Sequence, residues 1–197
     1  MIPLELNTQT GTVAAALTLT SVDVTNAKGY GMLLNLTVAT ADTNTFADED
    51  VDVDANTITN AAHGYYTGLK VAATTTGTLP AGLSATDYYV IRVDADTIKL
   101  ATSAANAIAG TAVDITAAAG GGTHTLTPAA LSGASYKLQY SMDGVTYIDS
   151  GVTNNVTTTA KFLHEKVDPM FNWVQVVWTV GAGQIGYTVS TLVKGER

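Results

Sequence analysis

The sequence predicts an all-β protein, built as a β-sandwich with a small β domain inserted in one loop. Val, Ala, Thr, Ile and Leu dominate the composition, and the 18 glycines, with Asn and Asp, mark turns between the β-branched residues. Several segments alternate apolar and polar residues with a period of two, as half-buried strands do. Charged residues make up only 13% of the chain, and long Glu/Lys/Leu stretches with helical spacing are missing.

The amino-terminal part predicts two strands. In residues 13–25, Leu17, Leu19 and Val22 are separated by Thr and Ser, which predicts one strand with one buried face. A turn at residues 26–29 follows. Residues 30–39 fit a period of two and predict a second strand, with Met32, Leu34, Leu36 and Val38 on one side.

The carboxyl-terminal part predicts two hairpins. Residues 136–142 alternate, Asp143-Gly144 supplies a tight turn, and residues 145–149 return as the partner strand. Residues 174–180 and 185–189 predict a second hairpin about the turn at residues 181–184. The mixed stretch 161–171 joins the two hairpins and is interpreted as a plain connection or as a contact with a neighbouring subunit.

Residues 48–127 differ in composition from the segments on either side, which predicts a small β module inserted between them. An acidic run opens the segment at residues 48–54, and a run of alanines and glycines closes it at residues 117–122. Short strands are expected at residues 56–60, 69–74, 87–93 and 97–101, a turn at residues 94–96, and one short helix at residues 103–109. Surface loops accept such insertions at little entropic cost. Residues 1–47 and 128–197 would then form a discontinuous outer β-sandwich, immunoglobulin-like or jelly-roll-like.

The inserted segment resembles a small β module that recurs in tail, fibre and surface proteins of tailed bacteriophages. The likeness lies in the order of short motifs, which are Asn56-Thr57-Ile58-Thr59, Ala62-His63-Gly64, residues 75–83, Tyr88-Tyr89-Val90-Ile91, residues 94–103, Gly110-Thr111-Ala112 and residues 122–126. Residues 138–147 are similar to the Ser-x-Asp-Gly hairpin of many phage and carbohydrate-binding sandwiches. The resemblance implies a place in a virion and no catalytic residues.

The composition of the chain disfavours some classes of binding partner and of cysteine chemistry. The net charge of −8 disfavours a nucleic-acid partner, and the absence of cysteine excludes disulfides and thiolate chemistry. Residues 1–5 do not resemble a signal peptide, and no run approaches the roughly 20 apolar residues of a membrane span. We expect a protein made in a host bacterial cytoplasm and assembled into a virion, without membrane contact.

The sequence predicts no metal, cofactor or catalytic residue. The acidic run aligns Asp50, Asp52 and Asp54 with calcium-loop positions, but Ala55 and Ala61 stand where glycine and glutamate are needed. A looser calcium site and a solvated domain boundary stay open as alternatives. The three histidines, His63, His124 and His164, lack the clustered partners of a zinc site, although the first two could meet in space. Hydrolase and phosphate-loop motifs are absent.

Aromatic residues near the carboxyl terminus are the candidate contact residues. Trp178 shares its predicted face with valines and is expected in the core, whereas Trp173 lies on the opposite face. Phe171 and Phe162 belong to the mixed stretch beside it. Trp173, Phe171 and Phe162 are therefore the predicted surface or interface contacts.

These observations favour a non-enzymatic virion protein, and first a capsid decoration or cement protein that binds the major capsid protein. Homo-oligomers, including trimers, would suit such a lattice. A tail, baseplate or fibre component is the first alternative. A carbohydrate-binding module that contacts host glycans is the second.

Overall fold

The computed structural model describes residues 5–25, 27–39, 41–118, 121–167 and 169–194. The all-β prediction is confirmed, because antiparallel sheets make up nearly all of the regular structure in these residues. The chain divides into two compact units. Unit 1 comprises Met1–Ala39, Ser132–Gly181 and Ile185–Arg197, and unit 2 comprises Thr40–Leu131 and Ala182–Gln184.

The described residues form sixteen strands and one α-helix. The first eight strands are β1 (Glu5–Val13), β2 (Leu17–Thr18), β3 (Val22–Asp23), β4 (Gly29–Ala39), β5 (Asn44–Phe46), β6 (Val51–Asp52), β7 (Thr57–Thr59) and β8 (Lys70–Thr75). They are followed by β9 (Asp87–Arg92), β10 (Thr97–Ala101), the helix α1 (Ala104–Ala109), β11 (His124–Pro128), β12 (Ser135–Ser141), β13 (Ile148–Asn155), β14 (Ala160–Val167), β15 (Trp173–Thr179) and β16 (Gln184–Lys194). A single 3₁₀ turn, Asp48–Asp50, precedes β6.

Unit 1 is a sandwich of two antiparallel sheets. One sheet has the order β1-β16-β4-β14, and the other has the order β13-β12-β15-β2, with β3 also paired to β15. Aromatic rings from the two sheets meet between the layers. Trp178 of β15 stacks on Tyr187 of β16 at 5.8 Å, and Tyr136 of β12 meets Phe162 of β14 edge-on at 5.4 Å. These contacts place the core of unit 1 between its sheets.

Period-two alternation predicted the faces of the long strands correctly. Met32, Leu34 and Leu36 of β4 are buried, Val38 on the same face is half-buried, and Leu33 between them is partly exposed. On β15 the buried residues are Val174, Val176 and Trp178. Each set buries one face of a strand against the opposite sheet, which is the arrangement that alternation specifies.

The predicted second hairpin is wrong. β15 belongs to the sheet with β12, whereas β16 lies between β1 and β4 in the other sheet. The glycine-rich connection at residues 180–183 therefore carries the chain from one layer to the other. Alternation fixes which face of a strand is buried, and a glycine turn can serve either a hairpin or a crossing between layers.

Two other segments of unit 1 also differ from the prediction. Residues 13–25 form no continuous strand, because β1 ends at Val13 and only the two-residue strands β2 and β3 follow. The mixed stretch 161–171 is mostly strand β14, paired antiparallel with β4 from Ala160↔Leu36 to Val167↔Gly29. The backbone hydrogen bonds of this segment are thus formed with β4, although its side chains show no clear alternation. Asn26, in the predicted turn, lies outside the described residues.

Unit 2 is built on one sheet with the order β5-β11-β8-β9-β10-β7-β6. The predicted strands correspond to β7, β8, β9 and β10, each within two residues of its expected ends. The predicted helix is α1, whose amino terminus is capped by the Ser103 hydroxyl accepting the N–H of Asn106 at 3.1 Å. In the predicted turn at residues 94–96, the Asp94 carboxylate accepts the N–H of Asp96 at 2.8 Å.

The unit boundaries differ from the predicted limits of 47/48 and 127/128. Residues 41–47 belong to unit 2, because β5 pairs with β11 from His124↔Phe46 to Leu126↔Asn44. Residues 128–131 also belong to unit 2, where Ala129 donates its N–H to the carbonyl of Lys70. The closing run at residues 117–122 includes residues 119 and 120, which lie outside the described residues. No helix in the described ranges combines the length and hydropathy that a membrane crossing requires.

Candidate functional site

A candidate binding feature of unit 1 lies at the Ser-x-Asp-Gly hairpin after β12. The Asp143 carboxylate accepts the N–H groups of Val145 and Thr146 at 2.8 and 2.7 Å, and the Ser141 hydroxyl donates to it at 2.8 Å. These hydrogen bonds stabilise the charged form, so the pKa of Asp143 lies well below its ordinary value. Gly144 follows at φ +72°, a conformation that glycine adopts without strain. The Asp143 and Ser141 side chains therefore hold the turn in place.

A groove of about 520 Å³ opens beside this turn, and we call it the aromatic groove. Its floor includes Phe171 stacked on Tyr140, with ring centroids 4.1 Å apart and an interplanar angle of 22°. The lining side chains are mostly apolar, and they are Tyr140, Ser141, Met142, Asp143, Thr146, Ile148 and Phe171. A cavity of this size with a few polar groups at its rim is typical of a binding site.

The rim of the aromatic groove exposes large apolar side chains. Met142 is 64% exposed and Ile148 is 71% exposed, and both line the groove. Val145, at the tip of the same turn, is 83% exposed. Single exposed apolar residues need no explanation, but three within one turn form a patch of the kind that marks interaction surfaces. The rigid turn holds that patch in one conformation.

The structure separates the three predicted contact residues. Phe171 lines the aromatic groove. Trp173 is half-buried beneath the turn, since a Cβ built on Gly144 would lie 3.1 Å from its Nε1 atom. Phe162 is half-buried on β14 against Tyr136 and does not line the groove.

Sequence reasoning missed Met142 and Ile148 as contact residues. Met142 is the variable residue of the Ser-x-Asp-Gly motif, and Ile148 begins β13 after the turn. Apolar residues within and just after the turn motif are the signal that could have found them. The expected core position of Trp178 is confirmed, because its side chain is fully buried.

Unit 2 contains a hydrogen-bonded chain that resembles a catalytic relay. Thr75 Oγ1 lies 2.8 Å from His124 Nδ1, and His124 Nε2 lies 3.0 Å from the Asp48 carboxylate. A nucleophile would need a free, accessible hydroxyl oxygen. Here the N–H of Gly77 donates to Thr75 Oγ1 at 3.0 Å, and His124 is fully buried. The arrangement is that of a polar brace joining β8, β11 and the 3₁₀ turn.

His63 has its own partners and does not meet His124. Tyr65 donates its N–H to His63 Nδ1 at 2.9 Å, so the proton lies on Nε2, which is 3.1 Å from the carbonyl oxygen of Asp94. Burial lowers the pKa of His63. In unit 1, burial likewise lowers the pKa of His164, whose Nε2 lies 2.7 Å from the Tyr136 hydroxyl.

The acidic run is part of the backbone framework of unit 2. The Asp50 carboxylate accepts the N–H of Ala47 at 2.8 Å, and the Asp52 carboxylate accepts the N–H groups of Asp54 and Ala55 at 3.0 Å. These carboxylates act as turn caps. Within the described ranges, no group of three His, Asp or Glu side chains is placed to hold a metal ion.

The two histidines with lowered pKa values predict a pH dependence of stability. The unfolded chain binds protons near pH 6.5, whereas folded His63 and His164 bind them only at lower pH. The unfolded state therefore holds more protons below about pH 6.5, and the unfolding free energy falls as pH drops from about 7.5 to 5.5. Urea denaturation at several pH values measures this slope.

The matched control is the double variant His63→Gln/His164→Gln. We expect it to flatten the slope in that window while retaining the steeper loss below about pH 4, where carboxylates such as Asp143 protonate. An unchanged slope between pH 7.5 and 5.5 in the double variant would contradict the assignment.

Comparison with known proteins adds no assignment. No protein-family model matches the chain, and no match to a curated protein was found. The fold and the aromatic groove define a class only: an all-β protein with an apolar groove on its surface.

Proposed function

We propose that this chain is a non-enzymatic structural protein of a bacteriophage virion, and that it decorates the capsid and stabilises the head lattice. The aromatic groove is the observation that carries the proposal. Its support from sequence is the resemblance of residues 56–126, all within unit 2, to a module of phage surface proteins. In this proposal the groove of unit 1 contacts the major capsid protein.

The groove has the composition of the centre of a protein interface. Interface centres are depleted in charge and enriched in aromatic residues and Met, as at Tyr140, Met142 and Phe171. Burying one exposed side chain of the size of Ile148 contributes roughly 1.5–3 kcal/mol. A few such residues support only moderate affinity for one copy, and multivalent attachment raises the avidity on a lattice.

Two observations support a role without catalysis or nucleic-acid binding. The hydroxyl of Thr75 accepts a backbone N–H and contacts a buried histidine, so it is poorly disposed to attack a substrate. The net charge of −8 repels phosphate backbones. In this proposal the partners are virion proteins and further copies of this chain.

A carbohydrate-binding adhesion module is the second candidate, and the half-buried stack of Phe171 on Tyr140, which lines the groove, favours it. Aromatic faces bind the apolar faces of sugar rings, but sugars also need polar partners. The mostly apolar lining of the groove supports a protein partner better. A tail, baseplate or fibre position would use the same groove against a different virion protein.

The proposal predicts that Ile148→Asp abolishes binding to capsids that lack the decoration protein. A carboxylate at the centre of an apolar interface lowers affinity by about 100-fold or more, since it must be desolvated without a partner. The assay is co-sedimentation of the purified full chain with such capsids, together with the temperature at which the capsids release DNA. Wild-type protein should bind and raise that temperature.

The matched control is Val152→Asp, which places the same charge on the same exposed strand outside the groove. It should bind like wild type. Equal loss in both variants, or no binding by wild type, would contradict decoration. Wild-type binding to purified glycans instead of capsids would favour the adhesion module.

A further inference from the structure

A second groove in unit 1 lies at the end of the sheet that contains β4, and we call it the lysine groove. It has a volume of about 470 Å³ and is lined by Lys28, Gly29, Tyr30, Gly31, Glu165, Lys166, Leu192 and Lys194. Three of the nine cationic residues of an acidic chain are thus collected in one cavity.

A glycine of β4, Gly31, leaves open space in the lysine groove. Tyr30 points into the core and is buried, so its neighbours Gly29 and Gly31 occupy the opposite face of β4. A Cβ built on Gly31 would meet no atom within 4 Å, so the space above it is open. The missing side chain of Gly31 therefore leaves open space along β4.

The three lysines are available to a partner. Lys28, Lys166 and Lys194 are all exposed, and among the described residues none of them forms an ion pair. The two lysines with ion pairs in the described ranges are Lys70 and Lys137, and both lie elsewhere. Three lysines and one glutamate, Glu165, line the groove, so its lining carries a net positive charge.

The complementary charge is on unit 2 of the same chain. By sequence, unit 2 has ten acidic and three basic residues, a net charge of −7, whereas unit 1 has seven acidic and six basic residues, a net charge of −1. The acidic segment, residues 48–54, concentrates this charge. Its Glu49 and Asp54 are exposed and have no ion-pair partner within the described part of the chain.

We propose that the lysine groove binds the acidic segment of a second copy of this chain. Copies with a net charge of −8 repel one another in most orientations. A head-to-tail orientation brings the cationic groove against the acidic segment and reverses the sign of the interaction. Such a contact is heterologous, so repetition produces a ring if the rotation closes and a chain of subunits if it does not.

This contact is independent of capsid attachment, which uses the aromatic groove. A failure of self-association would leave the capsid-binding test untouched. A failure of capsid binding would likewise leave this proposal standing.

The test is a charge exchange in the full chain, measured by sedimentation equilibrium at about 20 mM and about 500 mM salt. The groove variant is Lys166→Glu/Lys194→Glu, and the segment variant is Glu49→Lys/Asp54→Lys. Asp52 is left unchanged because it caps the turn backbone. Wild type should associate at low salt and dissociate at high salt.

Each variant alone should weaken self-association by at least about 30-fold, since attractive pairs become repulsive. An equimolar mixture of the two variants should associate again, because each altered surface then faces its complement. That recovery would also show that both variants fold.

Two single substitutions complete the design. Lys161→Glu makes the same charge change on β14 outside the groove and should associate like wild type. Gly31→Trp fills the open space above Gly31 without changing charge and should block association. The proposal is overturned if wild type stays monomeric at low salt, if the groove variant or Gly31→Trp associates normally, or if the mixture does not recover.

Discussion

Trp178→Ala is expected to lower the free energy of unfolding by about 3–5 kcal/mol. The Trp178 side chain is fully buried, and its ring meets Tyr136 at 5.3 Å and Tyr187 at 5.8 Å. Removing it leaves a cavity between the two sheets of unit 1 that the surrounding strands cannot close. Equilibrium denaturation in guanidinium chloride, followed by tryptophan fluorescence and circular dichroism, measures the loss.

The matched control for this substitution is Trp173→Ala on the same strand. Trp173 is only half-buried, so we expect a loss of about 1–2 kcal/mol. The indole nitrogen of Trp178 has no hydrogen-bond partner among the described residues, so Trp178→Phe should cost less than Trp178→Ala. Similar losses for the two alanine variants would contradict the placement of Trp178 in the core.

Gly82→Ala is expected to lower the free energy of unfolding by about 3 kcal/mol or more. Gly82 has φ +103°, and a Cβ there would overlap the carbonyl oxygen of Asp114. The chain is held close at this point because Ala81 pairs with Ala117 in an isolated β-bridge. The added methyl group must therefore break the bridge or distort the backbone. The loss is measured by the same denaturation experiment.

Gly31→Ala is the control for Gly82→Ala. Gly31 has open space above it and lacks a positive φ, so the same substitution should change the free energy of unfolding by less than about 0.5 kcal/mol. A Gly82→Ala variant as stable as wild type would contradict the close approach of residues 81–82 to residues 114–117.

The faces of the strands could be predicted from the sequence, but their partners could not. Leu34 on β4 and Val176 on β15 are buried as alternation requires. Alternation reports only the local exposure of a strand, whereas pairing depends on residues far away in the chain. That is why β15 and β16 were expected as a hairpin and lie in different sheets.

Turn and cap residues predicted elements inside unit 2, but they did not predict where unit 2 begins. Ser103 marks the start of α1, and Asp94 closes the turn before β10. Strand β5 has only three residues, Asn44–Phe46, which is too short for alternation to be recognised. Its place in the sheet comes from pairing with β11, about eighty residues later in the chain, so local sequence could not reveal it.

Of the candidate site, the sequence predicted Phe171 and the turn motif, but not Met142, Ile148 or the shape of the groove. Concentrated aromatic residues pointed to Phe171, and the Ser-x-Asp-Gly motif pointed to the turn. The groove exists because Phe171, from the loop before β15, stacks on Tyr140 at the end of β12. The brace of Thr75, His124 and Asp48 likewise joins three separate segments. Both depend on tertiary contacts that spacing along the chain does not encode.

A cryo-electron microscopy reconstruction of capsids saturated with this chain tests the central proposal most directly. We expect density for the chain on the outer capsid surface, with the turn at residues 141–148 and the ring of Phe171 against the major capsid protein. Density in which that turn faces solvent, or capsids that carry no density for the chain, would contradict the proposal.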